Sequence, residues 1–240
     1  MRKISFFLLL LFFCITTTLA QNINLSNVEL PVINDGRSNR IITHKGYTVS
    51  YNYDRKIPNW VAYELTDWEV EGEVPRYDRF KPDPMVPQNA TATTDDYKYS
   101  GYDRGHMAPA ADMKWDEQAM KESFYLSNIC PQNPNLNGGV WKDLEEQVRD
   151  LASQKGRIFV VCGPIVNDTS NTIGENKVVV PQAFFKVLLH EEDGEIHTIG
   201  FVYENTQTLS SLGSRSTSFA RFQIKLRDGR KLPWIFQNGQ

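Results

Sequence analysis

An acid, an arginine and a histidine surround one glycine in Asp103-Arg104-Gly105-His106, inside the stretch YDRGHMAPAADM. Buried in a core, the three charged or titratable side chains would each cost free energy unless paired. In a site they are useful, because His106 can exchange a proton near neutral pH and Gly105 would let the backbone approach a ligand. Downstream, NICPQNPNLNGGVW gathers Asn128, Gln132, Asn133, Asn135 and Asn137, then two glycines, and opens onto a helical pattern bearing Glu145 and Arg149 at i, i+4. Each part has a plain reading as well. Loop asparagines mostly make turns and caps, and an i, i+4 ion pair is usually solvated.

Together the set suits phosphodiester hydrolysis. That chemistry needs a base to deprotonate water, a cation to offset charge on the phosphate and leaving oxygen, and donors that hold the phosphate. His106 fits the first role, and Arg76, Arg104 and Arg149 the third. The sequence holds no cluster of soft metal ligands, but Mg2+ keeps several waters and takes as few as one or two protein oxygens.

Several elements must position these residues. YTVSYNYD (47–54) and WVAYEL (60–65) predict strands joined by a turn at Lys56-Ile57-Pro58-Asn59. Residues 72–101 predict a long loop, Asp116 to Ser123 a short helix, and FYLSNIC (124–130) a strand. Val140, Leu144, Val148 and Leu151 form the apolar stripe of a helix over 141–156, stopped at Gly156. RIFVVCG (157–163) predicts a buried strand, and 178–189 and 195–203 flank a hairpin turn at Asp193-Gly194. The sum is a mixed α/β or α+β domain: a central, largely antiparallel sheet with flanking helices.

A basic start, an apolar run from Ile4 to Ile15 and the small residues before Gln21 predict a cleaved signal peptide over residues 1–20 and export to the periplasm or medium. The remainder, 21–240, is long enough for one core and reads as a single domain without a membrane span. Of 26 lysines and arginines, Arg2 and Lys3 lie in the leader, so against 29 acidic residues the rest carries a formal charge of −5. Such a chain is not steered globally to polyanions, and nucleic-acid binding would need a local basic cleft. Cys130 and Cys162 remain. An oxidising compartment would permit a disulfide between them, two buried thiols being the alternative.

The motif DRGH followed by Met-Ala-Pro, then SNICPQ, LNGGVW and a helix with Glu and Arg, resembles the DNA/RNA non-specific endonuclease family, the ββα-metal nucleases. Supporting matches are PNWVAYEL, RFKPDP, VVCGPI and VPQAFFKVLL, so the resemblance covers roughly residues 45 to 205. It implies a ββα-metal motif at the site and a nuclease acting on the DNA and RNA backbone. By the same resemblance His106 is the general base, Asn137 the side-chain ligand of one hydrated Mg2+ (Mn2+ being an alternative), and Glu145 an acid that binds that ion's waters. Were Asn137 and Glu145 on one ideal helix, they would stand roughly 12 Å apart along its axis, too far for both to ligate directly. Arg104 and Arg149 are implied to contact phosphate or stabilise the transition state, Asp103 to orient its neighbours, and Asn128 to lie near the site among the substrate-binding residues. Arg76 is preferred to Arg79 as the arginine of the preceding loop. The segment from residue 206 onward departs from the family pattern.

A catalytically silent nucleic-acid-binding relative is the rival reading, disfavoured because a binding module needs no base and metal ligand together. Hydrolases of other kinds lack support, since neither G-x-S-x-G nor H-E-x-x-H occurs. His44, His190 and His197 show no ligand spacing with a carboxylate, and the last two are expected at the surface. Oligomeric state and any inhibitor partner leave no mark in the sequence.

Overall fold

In the computed structural model, which describes residues 30–31 and 40–206, the apolar runs assemble into a six-stranded sheet. β1 (Arg40–Thr43), β2 (Thr48–Asn52) and β3 (Ile57–Thr66) form a meander. The chain then builds a small separate sheet from β4 (Asp103–His106) and β5 (Ile129–Gln132) before β6 (Arg157–Ile165) returns beside β3. β7 (Thr172–Ile173) and β8 (Val178–Val179) pair with each other, and the hairpin of β9 (Ala183–Glu192) and β10 (Glu195–Glu204) completes the main sheet. Its order is β1-β2-β3-β6-β9-β10, antiparallel at every pairing. With the helices α1 (Asp67–Val70), α2 (Thr94–Tyr97), α3 (Glu117–Ser123), α4 (Pro134–Asn137) and α5 (Val140–Lys155), this is the α+β architecture expected.

Helix α5 is the main cover of the sheet. Its buried stripe is Trp141, Leu144, Val148 and Ala152, one residue round from the stripe expected, and Val140 is exposed. Those side chains share one core with Val61, Tyr63, Ile158, Val160, Phe184 and Leu188 of the central strands. Burying each large apolar group contributes about 1.5–3 kcal/mol, so this contact holds the helix in place. Gly156, at φ +77°, ends the helix and delivers the chain into β6.

Three local expectations are corrected. The turn before β3 closes at Lys56, and Ile57 and Pro58 already belong to the strand. Ile57 is apolar and fully buried, and a register shift between Ser50 and Tyr51 absorbs the N–H that Pro58 lacks. Residues 126–128 make a 3-10 turn, and the strand begins only at Ile129. His190 and His197 pair across the last hairpin with their rings stacked 5.0 Å apart, partly buried rather than free on the surface.

The disulfide is not formed. Cys130 and Cys162 are both free and buried, on strands of different sheets. The Cys162 thiol donates to the Met107 carbonyl at 3.1 Å. Burial pushes the Cys130 thiol well up and Cys162 to about 12, so both act as small apolar core groups. Residues 1–20 and 207–240 lie outside the described residues, as do the leader and most of the divergent tail expected there.

Candidate active site

DRGH forms a strand, β4. Pairing of β4 with β5 sets Gly105 opposite Cys130 and His106 opposite Ile129. Alternation along the strand then sends Arg104 and His106 to one face. Gly105 has a different task from the one expected. A Cβ there would stand 2.1 Å from Gln132 Oε1 and 2.5 Å from its Cβ, so the missing side chain makes room for Gln132 and not for a ligand.

The His106 ring packs against two phenylalanines, Phe80 at 5.2 Å and Phe124 at 5.0 Å, whose own rings touch at 5.0 Å. Each phenylalanine carries a guanidinium, Arg104 at 4.5 Å from the Phe80 centroid and Arg76 at 5.1 Å from that of Phe124. Burial first, then these two cations, push the imidazole down to about 3, so at neutral pH it carries no charge and offers an unprotonated nitrogen. Its Nε2 is buried without a hydrogen-bond partner among the described residues. Arg76 is anchored by Asp78 at 2.5 Å, whereas Arg79 lies against Tyr77. Phe80 and Phe124 were missed as site residues. Their only sequence signals are the RFKPDP match for Phe80 and the predicted strand FYLSNIC for Phe124, which do not show that both rings converge on the histidine.

Asn128 is placed differently from the expectation. It is fully buried, its Nδ2 donates to the carbonyls of Ala108 and Ser123, and its Oδ1 accepts from the Ala108 amide. With its amide so engaged it cannot touch a substrate. It clamps the chain just after His106, while Met107 N donates to its carbonyl.

Asn137 closes the other side. It ends α4, and Gly138-Gly139 break the chain before α5, so Asn137 and Glu145 do not share the continuous helix assumed for their separation. A Cβ on Gly139 would lie 2.4 Å from the Asn135 carbonyl, which explains why the break needs glycine. Asn137 Nδ2 donates to Asp103 Oδ2 at 2.9 Å, a bond that does not use its amide oxygen, and Asp103, Arg104 and Asn137 line one cavity together. No group of three or more His, Cys, Asp or Glu suited to a metal occurs among the described residues. One neutral oxygen beside a carboxylate suits a hard ion that keeps its water, and Mg2+ or Mn2+ fits this donor set.

Glu145 and Arg149 lie in an adjoining cluster. Arg149 donates to Asp112 at 2.9 Å, and Asp112, fully buried, also accepts from the Tyr63 hydroxyl at 2.8 Å. Lys186 is fully buried on β9, with its ammonium 4.8 Å from the Trp141 ring and no hydrogen-bond partner among the described residues. Burial pushes the Glu145 carboxyl up to about 7 against the pull of Lys186 and Arg149. The charges acting on His106 are Arg76 and Arg104, so Arg149 serves this second cluster. Lys186 and Asp112 were missed by sequence reasoning. A lysine on the apolar strand AFFKVLL was the available signal for the first.

The family model for DNA/RNA non-specific endonuclease matches residues 26–233. The chain is 42% identical over 169 residues to the mitochondrial nuclease EXOG of Danio rerio, covering 66% of this chain and 49% of that protein. It is 35% identical over 163 residues to the mitochondrial endonuclease G of Homo sapiens, covering 63% of this chain and 55% of that protein. The chain thus spans about half the length of these curated relatives. A crystal structure of the EndoG/EndoGI complex, titled as showing the mechanism of EndoG inhibition, matches with a TM-score of 0.67 and 30% identity over 76% of this chain and 80% of that one. These matches overturn the expectation of export to the periplasm or medium, because the relatives are mitochondrial nucleases. A basic start and an apolar run mark an address, and composition alone does not say which receptor reads it. The match of fold, motif and nearly the whole chain places this protein in the DNA/RNA non-specific endonuclease family.

Proposed function

We propose that the chain is a metal-dependent, sugar-non-specific endonuclease that hydrolyses phosphodiester bonds of DNA and RNA, in one domain spanning residues 21–240. The arrangement at His106 carries this reading: an uncharged imidazole within the field of two arginines joins a proton acceptor to two cations suited to phosphate.

In this reading a His106 ring nitrogen takes a proton from water as the water oxygen bonds to phosphorus. The bond from phosphorus to the 3′ oxygen breaks, that oxygen takes a proton from solvent, and a 5′-phosphate remains. Arg104 and Arg76 offset the charge that builds on the phosphoryl oxygens. Asn137, oriented by Asp103, would hold a hydrated Mg2+ or Mn2+, with Glu145 acting on that ion's water shell. When bound, the ion supplies Lewis-acid stabilisation of the phosphate and the leaving oxygen. Arg149, fixed by Asp112, keeps a cation beside Glu145. Low base specificity follows, since the contacts fall on a backbone that is the same at every step.

The test compares purified wild type with His106→Ala on supercoiled plasmid and structured RNA, in Mg2+ and in EDTA. Degradation of both substrates, dependent on the metal and lost in the variant, is expected. A folded wild type that cleaves neither, or a variant as active as wild type, would overturn the reading.

A further inference from the structure

Beside the site lies a cavity of about 460 Å3 whose lining includes Phe80, Tyr97, Lys98, Tyr102, Arg104 and Asn137. That volume falls within the roughly 300–1,000 Å3 of small-ligand pockets. Tyr97 is 5% exposed, yet its hydroxyl has no hydrogen-bond partner among the described residues, although buried phenols normally find one. That hydroxyl is buried beneath the cavity surface; the lining itself is aromatic at Phe80, Tyr97 and Tyr102, and Asp103 and Arg104 of the DRGH strand line it too, with Asp95 as a second carboxylate.

The residue after Lys98 is stranger still. Tyr99 adopts φ +59°, a left-handed backbone that bulky residues rarely take, and its side chain is 94% exposed. Trp68 follows at 60%, so Tyr99 is by a wide margin the most exposed large ring among the described residues. Glycine would suit this backbone at no cost, and neither burial nor a hydrogen bond accounts for the tyrosine. Lys98 lines the cavity, and its ammonium stands 5.2 Å from the Tyr99 ring centroid. Tyr99 is not itself part of the lining; its ring adjoins Lys98, which shares the lining with Arg104 and Asn137.

An aromatic face beside a lysine, next to an arginine proposed to bind phosphate, is the combination that holds unpaired nucleic acid. Bases stack on the ring while the cations track the backbone. Bases inside a duplex are already stacked on each other and are not free to do this. We propose that the cavity is a subsite for the nucleotide flanking the scissile phosphate, with Tyr99 stacking on its unpaired base, so that single strands are bound in preference to duplex. The inference rests on the nuclease reading above, which supplies the phosphate.

The test measures binding in EDTA by fluorescence anisotropy, using a labelled single-stranded deoxyoligonucleotide and the same sequence as a duplex. Wild type, Tyr99→Phe and Tyr99→Gly are compared, with a thermal melt of each. Tyr99→Gly is expected to bind the single strand about tenfold more weakly, the effect of one lost base–aromatic stack. Duplex binding should not change, Tyr99→Phe should match wild type, and the Tm of Tyr99→Gly should be no lower. Equal single-strand affinity in wild type and Tyr99→Gly, an equal loss on both substrates, or no binding of the single strand by wild type would each overturn the subsite. Plasmid cleavage in Mg2+ separates the two ideas. Cleavage by a protein whose Tyr99→Gly variant binds normally sinks the subsite alone, whereas ring-dependent binding without any cleavage sinks the nuclease reading and leaves Tyr99 stacking on a base with no scissile phosphate beside it.

Discussion

Asn137 donates its side-chain amide to Asp103 at 2.9 Å, and this bond joins the end of α4 to the first residue of the DRGH strand. Partners that orient a metal ligand typically change affinity 10–100-fold when removed. Asp103→Ala should therefore weaken Mg2+ or Mn2+ binding by at least about tenfold. Calorimetric titration checks it, and unchanged affinity would remove Asp103 from the orienting role.

His106 should leave its mark on acid stability. Its folded pKa of about 3 lies below the ordinary 6.5, so the folded state binds fewer protons than the unfolded one between these values. The contribution is whole above pH 6.5 and is lost as pH falls toward 3, amounting to a few kcal/mol at most. Urea denaturation at pH 7 and pH 4 should show a steeper loss for wild type than for His106→Phe. Equal losses would mean the imidazole is not held neutral by its surroundings. Where kcat/KM reports His106 in the free enzyme, its acid limb should likewise fall well below 6.5.

Asp112 is the acceptor for both Arg149 and the Tyr63 hydroxyl. Asp112→Ala leaves a half-buried guanidinium and the Lys186 ammonium without this counter-charge, and removing one partner of such a pair costs about 3–5 kcal/mol. Chemical denaturation should register that loss, and a change under about 1 kcal/mol would show the cluster to be well hydrated.

Gly105→Ala forces a methyl group onto Gln132. Overpacking of this kind costs about 1–3 kcal/mol, and it should displace β4 and lower activity as well. Pairing the change with Gln132→Gly removes all the atoms that clash, the Cβ included. If the double variant is no more stable than Gly105→Ala alone, the close approach is not what the glycine serves.

Much of the architecture was legible because hydrophobic periodicity and turn chemistry are local. Helix α5 announced itself through its stripe and its terminal glycine, and Asp193-Gly194 through the positive φ both residues adopt. The DRGH strand did not, because its partner Ile129–Gln132 lies far along the chain and its own residues are polar. In the site, residue type pointed to His106, Arg104 and Asn137. Type could not show that Asn128 is consumed by backbone hydrogen bonds, or that Phe80 and Phe124 frame the imidazole, since both facts depend on chain segments meeting in space. Lys186 escaped for a related reason: a lysine on a strand reads as solvent-facing until a carboxylate cluster and an indole are seen around it.

The two buried thiols bear on how the molecule comes to be made. With Cys130 and Cys162 free inside the core, no covalent cross-link between them has to form before the native sheet closes. Folding therefore waits on neither an oxidant nor disulfide shuffling at this pair, steps that otherwise take seconds to hours. Glutathione in the surroundings leaves the pair unchanged, because it holds no bond to reduce. The same core can be reached in a reducing compartment or an oxidising one.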